Sequence, residues 1–417
     1  MLPKVLYPDY MLKFKCIGSD CEDTCCQKWT IHIDRETYMQ YSRLEDREFS
    51  EKLLQNLEVN EASKRTFDQY AVMKLDETTG MCKFLENGLC SIHLRLGESY
   101  LSNVCATYPR RSNWIDDTFE TSAYLSCPEA ARLALLNPEG MSFTYVETDK
   151  PVMTSVRLTT KMPDSYPYAN YFWEIRTLAI EIIQNRSYSL SHRLMQLAAL
   201  ADALDEAFAA GKARQVPHIV QAFRDQLAGG GEITRIDTFP THSHYQFKFL
   251  NGLLLVLVAA KAGNNDTYKE CLDQYIEGIQ KAGDLTEAQL IRYYDDSRRK
   301  FYDPFMAEHQ YIFENYVVNY LYGTAFPYDV EPKVFRKVFY IGIMYALLRM
   351  QLIGMAAYHG KVTSDMAVQL IYSFARNFEH NENFRKVLLQ QCETENAMTL
   401  GHLSLLVMES DVTEVAR

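Results

Sequence analysis

Along most of the chain, apolar residues return every three or four positions, the spacing that turns one face of an α-helix toward a core. Leu190, Leu194, Leu197, Ala201, Leu204 and Phe208 form such a stripe, and Gly211 follows as a C-terminal stop. Gly263 and Gly283 end two further stretches of this kind; Thr286 and Gln289 offer a capping box for the next, which Asp303-Pro304 breaks. Helices are predicted over most of residues 305–323, 333–358, 364–379 and 382–409. The apolar runs Leu253–Ala260 and Val338–Leu348, closed by Lys261 and Arg349, fall well short of the roughly 20 residues a bilayer needs. They read as buried helices, so no transmembrane segment is predicted, although peripheral membrane contact is compatible with the pattern. No fixed repeat period emerges, which argues against a solenoid.

The first third has a different texture. Trp29-Thr30-Ile31-His32-Ile33 alternates like a short strand, and Asp34 caps a helix beginning at Arg35. A polar helical stretch spans residues 44–68, Asn87-Gly88 marks a tight turn, Leu94 to Val104 reads as a helix, and Pro128 opens another directly after Cys127. Residues 137–165, with Asn137-Pro138-Glu139-Gly140 and Met162-Pro163-Asp164, read as a connector carrying one strand at Ser155–Thr159. The expected architecture is mainly α: a small cysteine-rich part over 1–136, the connector over 137–165, and an irregular multi-helix domain over 166–417.

Composition changes this picture in two places. A net charge of −11 argues against nucleic acid, whose binders carry a basic patch or stripe. Eight of the ten cysteines, Cys16, Cys21, Cys25, Cys26, Cys82, Cys90, Cys105 and Cys127, lie in the first third, which ordinary core usage does not produce. The opening Met1-Leu2-Pro3-Lys4 leads into no apolar signal segment, so a reducing, cytoplasmic setting is expected, where clustered thiolates bind a metal or cluster in preference to each other. The absence of Cys-x2-Cys knuckles weighs against zinc, while iron–sulfur clusters take four thiolates at varied spacings; iron–sulfur therefore leads, with zinc the alternative. Side chains of neighbours diverge, so one of Cys25 and Cys26 is expected to ligate. A thiolate at Cys127 would be favoured by the helix N-terminus. His32 and His93, near the thiols, read as outer residues more than as ligands.

Read in order, Cys-x4-Cys-x3-Cys-Cys, then Cys82-x-Phe-Leu-x2-Gly-x-Cys90-x-Ile, then Cys105-x3-Tyr-Pro-Arg, then Ser126-Cys-Pro-Glu-Ala-Ala-Arg resembles the flagellin lysine N-methylases. The middle portion is also similar to small zinc- or iron-chelating domains. The resemblance is dense over residues 8–136 and weaker at Phe313–Tyr320 and Phe326-Pro327. It implies methyl transfer from S-adenosylmethionine to the ε-amine of flagellin lysines, with an iron–sulfur cluster, most simply 4Fe-4S, on these cysteines.

An acceptor lysine must lose a proton before it attacks, and an aromatic channel that desolvates it lowers its pKa in the needed direction. Tyr311, Tyr316, Tyr320 and Tyr322 come from one stretch, and Glu314 and Asn319 are candidates to orient the amine, although aromatics at this spacing are commonly core. Arg110 and Arg111 are candidates for the cofactor carboxylate, or face solvent. Gly229-Gly230-Gly231 follows a helix and reads as a linker, and no Rossmann-type fingerprint appears. His242 and His244 lack a third metal partner. The competing function is a non-catalytic zinc- or iron–sulfur-binding module that docks a protein.

Overall fold

The stripe beginning at Leu190 folds as the twenty-residue helix Leu190–Ala209, opened by the Ser189 side chain and followed by Gly211 at φ 67°. A computed structural model describes residues 4–148, 156–161, 168–229, 243–259, 265–280, 286–328 and 333–408 of the chain. Gly230, Gly231, His242, Gly263, Gly283, Met162-Pro163-Asp164 and Ser155 lie outside these. The molecule is mainly α, as predicted. Its axis is the 26-residue helix Val334–His359, long and apolar enough by composition to cross a membrane but with that apolar window wholly inside the protein. Helices Leu190–Ala209, Asp266–Gln280 and Leu400–Val407 pack on it. At the closest crossing, a Cβ on Gly278 would stand 2.0 Å from the Gly354 carbonyl oxygen, so only glycine permits that approach.

Three expectations are corrected. Asp303-Pro304 does not end its helix: Glu287–Ser297, with the Thr286–Gln289 capping box, runs through a π-helical turn, Arg298–Tyr302, into Asp303–His309. Pro304 occupies the first turn of that last segment, where its missing N–H goes unneeded. The stretch 44–68 holds the helix Arg47–Gln55 and then a strand, Leu57–Val59. In place of one helix over Leu94–Val104, Ser91–Leu96 stops at Gly97, φ 89°, and a separate short helix, Asn103–Thr107, carries Cys105.

A five-stranded sheet was not foreseen. Its order is Val156–Leu158, Arg110–Ile115, Thr118–Ala123, Lys4–Pro8, Phe143–Glu147. The central hairpin is antiparallel, with Asp116 at φ 53° in its turn, and Lys4–Pro8 lies parallel to Thr118–Ala123. Polar residues on its buried positions hid its period: Glu120 points inward and meets Arg176 at 2.9 Å, and Arg176 donates on to the Tyr322 carbonyl. Among the described residues a small hydrophobic cluster joins Ile115, Leu158, Phe172 and Ala325, beside two larger cores. One, around Ile31, Tyr41, Phe49, Phe84 and Ile92, belongs to the cysteine-rich segment; the other runs from Tyr10 through Ala130–Leu135 to Met408.

Candidate functional site

Local chemistry aims the thiols. Asn87 and Gly88 both have positive φ, the geometry of a two-residue hairpin turn, so Leu85 pairs with Cys90 and Cys82 lies just upstream. Buried Asp34 caps its own helix through Thr37 N at 2.9 Å and also accepts from Asn103 N at 3.0 Å, fixing the start of the short helix that bears Cys105. Cys82 N donates to the Cys26 carbonyl at 2.8 Å, which brings the two cysteine segments together. The sulfurs of Cys82, Cys90 and Cys25 each act electrostatically on Cys105, while Cys21 and Cys25 act on Cys127. Cys25 is thus common to both groups and hydrogen-bonded to Cys26, whereas Cys16 is exposed.

All ten cysteines are free. Burial, assisted by the neighbouring thiols, pushes Cys105 and Cys127 up to about 12; at Cys127 this outweighs the N–H groups of Ala130 and Glu129, so the helix start does not yield a thiolate. Among the described residues, no three His, Cys, Asp or Glu side chains stand close enough to grip an ion as they are placed. The donor chemistry nevertheless fits one: Cys25, Cys82, Cys90 and Cys105 are partly buried, unpaired thiols whose thiolate forms repel one another, a repulsion that a thiophilic cation or cluster would relieve.

The loop Cys21–Cys26 is fastened to the helical part. Arg376, on the helix Ser364–Phe378, pairs with Asp23 Oδ1 at 2.8 Å and donates to the carbonyls of Asp23 and Thr24, while Asn265 Nδ2 reaches Asp23 Oδ2 at 2.7 Å. One turn later the same helix is capped by Glu379, followed by His380. His380 Nε2 meets Ser126 Oγ at 2.8 Å, and Tyr108 Oη lies 3.1 Å from that hydroxyl. The His380 and Tyr124 rings are 4.6 Å apart, with Arg111 over Tyr124. Tyr316 donates to Glu379 Oε1 at 2.9 Å; Tyr340 lies beside Tyr320, and Arg385 covers the Tyr340 ring.

Glu379 is partly exposed, and His380 is exposed at one edge although its ring packs on Tyr124 and its Nε2 on Ser126. Burial raises the Glu379 carboxyl to about 7, against the opposing hydrogen bond from Tyr316 and the charge of Arg111. His380 is pushed down to about 4 by burial and by Arg111 and Arg376, which leaves it neutral near pH 7.

Residues 176–406 match the FliB lysine N-methylase C-terminal domain, more than half of the chain. The chain belongs to the FliB lysine N-methylase family. A lysine-N-methylase of Salmonella typhimurium is 22% identical over 409 residues, covering 94% of this chain and 95% of the relative, and one of Salmonella choleraesuis is 22% identical over 410 residues with the same coverage. The flagellar biosynthetic protein FliU of Salmonella muenchen is 30% identical over 139 residues, 33% of this chain and 80% of the relative. No solved structure matches.

In this FliB-family chain the residues singled out from sequence fall in different places. Tyr316 is buried against Glu379, and Tyr320 is partly exposed. Glu314 is wholly occupied by Arg193 at 2.6 Å and Arg186 at 2.9 Å, so it is not free to orient an amine. Asn319 accepts from Tyr10 Oη at 2.7 Å and donates to the Ala123 carbonyl, tying its helix to the sheet. Tyr322 likewise serves the sheet, donating to the Leu6 carbonyl. Arg111 lies over Tyr124 and acts on Glu379 and His380, while Arg110 is exposed with its guanidinium over Phe14. His244 pairs with Glu287 at 3.4 Å. Sequence reasoning missed Glu379, His380, Tyr340 and Tyr124; the one available hint was that the Tyr108-Pro-Arg and Ser126-Cys-Pro motifs flank the hairpin that carries Arg111 and leads to Tyr124.

Proposed function

We propose that this chain is an S-adenosylmethionine-dependent protein-lysine N-methyltransferase acting on flagellin, with an iron–sulfur cluster on its N-terminal cysteines. The observation that supports this most is the family match, whose matched region brings Tyr316, Tyr320, Tyr340 and Glu379 together. The relatives named lysine-N-methylase support the reaction, and the flagellar name of FliU supports the substrate.

When bound, S-adenosylmethionine supplies an electrophilic methyl group on a sulfonium centre. The chain's part is to receive cations and keep water off. The partly exposed ring of Tyr320, backed by buried Tyr316 and Tyr340, attracts an ammonium or sulfonium, and desolvation beside it lowers the acceptor pKa toward the neutral, nucleophilic amine. Arg111, whose Nε is buried without a hydrogen-bond partner, is suited to a carboxylate of the cofactor. Cys25, Cys82, Cys90 and Cys105 would hold the cluster, with Cys21, Cys26 and Cys127 alongside. A neutral amine is already a nucleophile, so the cluster's contribution would be to staple the small cysteine-rich core onto the helical part. Zinc is the alternative occupant. The setting is cytoplasmic, where flagellin is met before export.

Anaerobically purified protein should show visible absorbance that bleaches on reduction, and with labelled cofactor should place label on flagellin lysines. Flagellin retained by the protein but left unlabelled, with the metal centre intact, would favour the non-catalytic docking module.

A further inference from the structure

Glu120 and Glu314 are buried between sheet and helices, Glu379 is partly exposed at the end of the helix Ser364–Phe378, and the fold treats the three differently. Glu120 is held by Arg176, and Glu314 by Arg193 and Arg186. Glu379 receives one hydrogen bond, from Tyr316 at 2.9 Å, and among the described residues no lysine or arginine pairs with it directly; Arg111 acts on it from farther away. A desolvated carboxylate is costly unless a cation meets it. Two of the three were given an arginine, and the third was left unpaired, at a place solvent can reach. Tyr316 and Tyr340 stand beside it with Tyr320 next to them, and aromatic rings favour an organic cation over water.

We propose that Glu379 receives the ammonium group of the acceptor lysine and takes a proton from it, with Tyr316 positioning the carboxylate. The inference rests on the lysine-methyltransferase reading. In the step, one N–H bond of the ammonium breaks, its electron pair stays on nitrogen, and the proton ends on a Glu379 oxygen; the carboxylate becomes a carboxylic acid and the lysine a neutral amine. Besides burial, Tyr316 from Tyr311–Gly323 and Arg111 from the sheet act on the Glu379 carboxyl; the other titratable and charged groups nearby are Tyr320, Tyr340 from Val334–His359, Arg385 over Tyr340 from Glu382–Thr394, and Arg376 and His380 along the chain. A carboxyl raised to about 7 is matched to proton transfer near neutral pH.

The test uses full-length protein with its metal centre, comparing wild type with E379Q, E379D and Y316F. For wild type, kcat/KM for flagellin should rise with pH through an inflection near 7. E379Q should lose the inflection and fall roughly 100-fold, with KM for S-adenosylmethionine within about twofold, and E379D should recover part of the rate. Y316F removes a hydrogen bond that lowers the Glu379 pKa, so its inflection should move to higher pH. Without cofactor, a lysine-bearing flagellin peptide should bind E379Q at least about tenfold more weakly than wild type at pH 8 by calorimetry. Folded E379Q with wild-type peptide affinity overturns the inference, as does an unchanged rate and pH profile. A rise in cofactor KM alone also overturns it, assigning the carboxylate to the cofactor's amine. Failure of wild type to transfer label, with peptide binding still dependent on Glu379, would strike the methyltransferase reading and leave the cation site standing.

Discussion

Glu314 and Glu379 come from different helices, and their neighbours give them opposite tasks. Glu314 neutralises Arg193, which is completely buried, so E314Q strands that guanidinium and should cost about 3–5 kcal/mol in urea denaturation. Glu379 behaves in the other sense. Its folded pKa, about 7, is raised from 4.5 by burial, so the native state favours the neutral acid; the resulting stability is fully present below 4.5 and is lost as pH rises through about 7. E379Q should therefore melt higher than wild type at pH 8 and no higher at pH 4, as calorimetry at the two pH values would show. Neither role was legible in sequence, where Glu314 looked the better candidate because it lay among tyrosines. The partners that decide the matter, Arg193 for one and Tyr316 for the other, are 121 and 63 positions away.

Among the elements, the helix Ser364–Phe378 reaches both the thiol-bearing loop and Glu379. Arg376 grips the Cys21–Cys26 loop, and Glu379 lies three residues beyond at the helix end. R376A should speed alkylation of Cys25 and Cys26 in metal-free protein, measured by mass spectrometry, because the loop loses both its carbonyl clamp and the Asp23 ion pair. Helix periods, the Thr286 capping box, the Asn87-Gly88 turn and the Pro128 helix start were all readable, since each depends on residues a few positions apart. The Gly278–Gly354 crossing was not: it joins helices Asp266–Gln280 and Val334–His359, and G278A should destabilise by about 3 kcal/mol or more, since an added methyl meets backbone that cannot yield.

At the scale of the molecule, the cysteine-rich core is small beside the one built around Val334–His359, and Cys82, Cys90 and Cys105, whose thiolate forms would repel one another, pack against it. Under the proposed cluster, anaerobic removal of iron by a chelator should raise hydrogen exchange over residues 31–105 while leaving Val334–His359 protected; uniform exchange would mean that the two cores open together. The sequence by itself determined that the chain is mainly helical, where most helices run, how their ends are capped, and that thiols gather early in the chain, because these follow from periodicity and short-range hydrogen bonding. Only the tertiary structure decided that a five-stranded sheet joins the first and second parts, that Glu314 is consumed in an ion pair, and that Glu379 stands unpaired among tyrosines. Those outcomes depend on which distant side chains desolvate or neutralise one another, and that is settled when the elements pack.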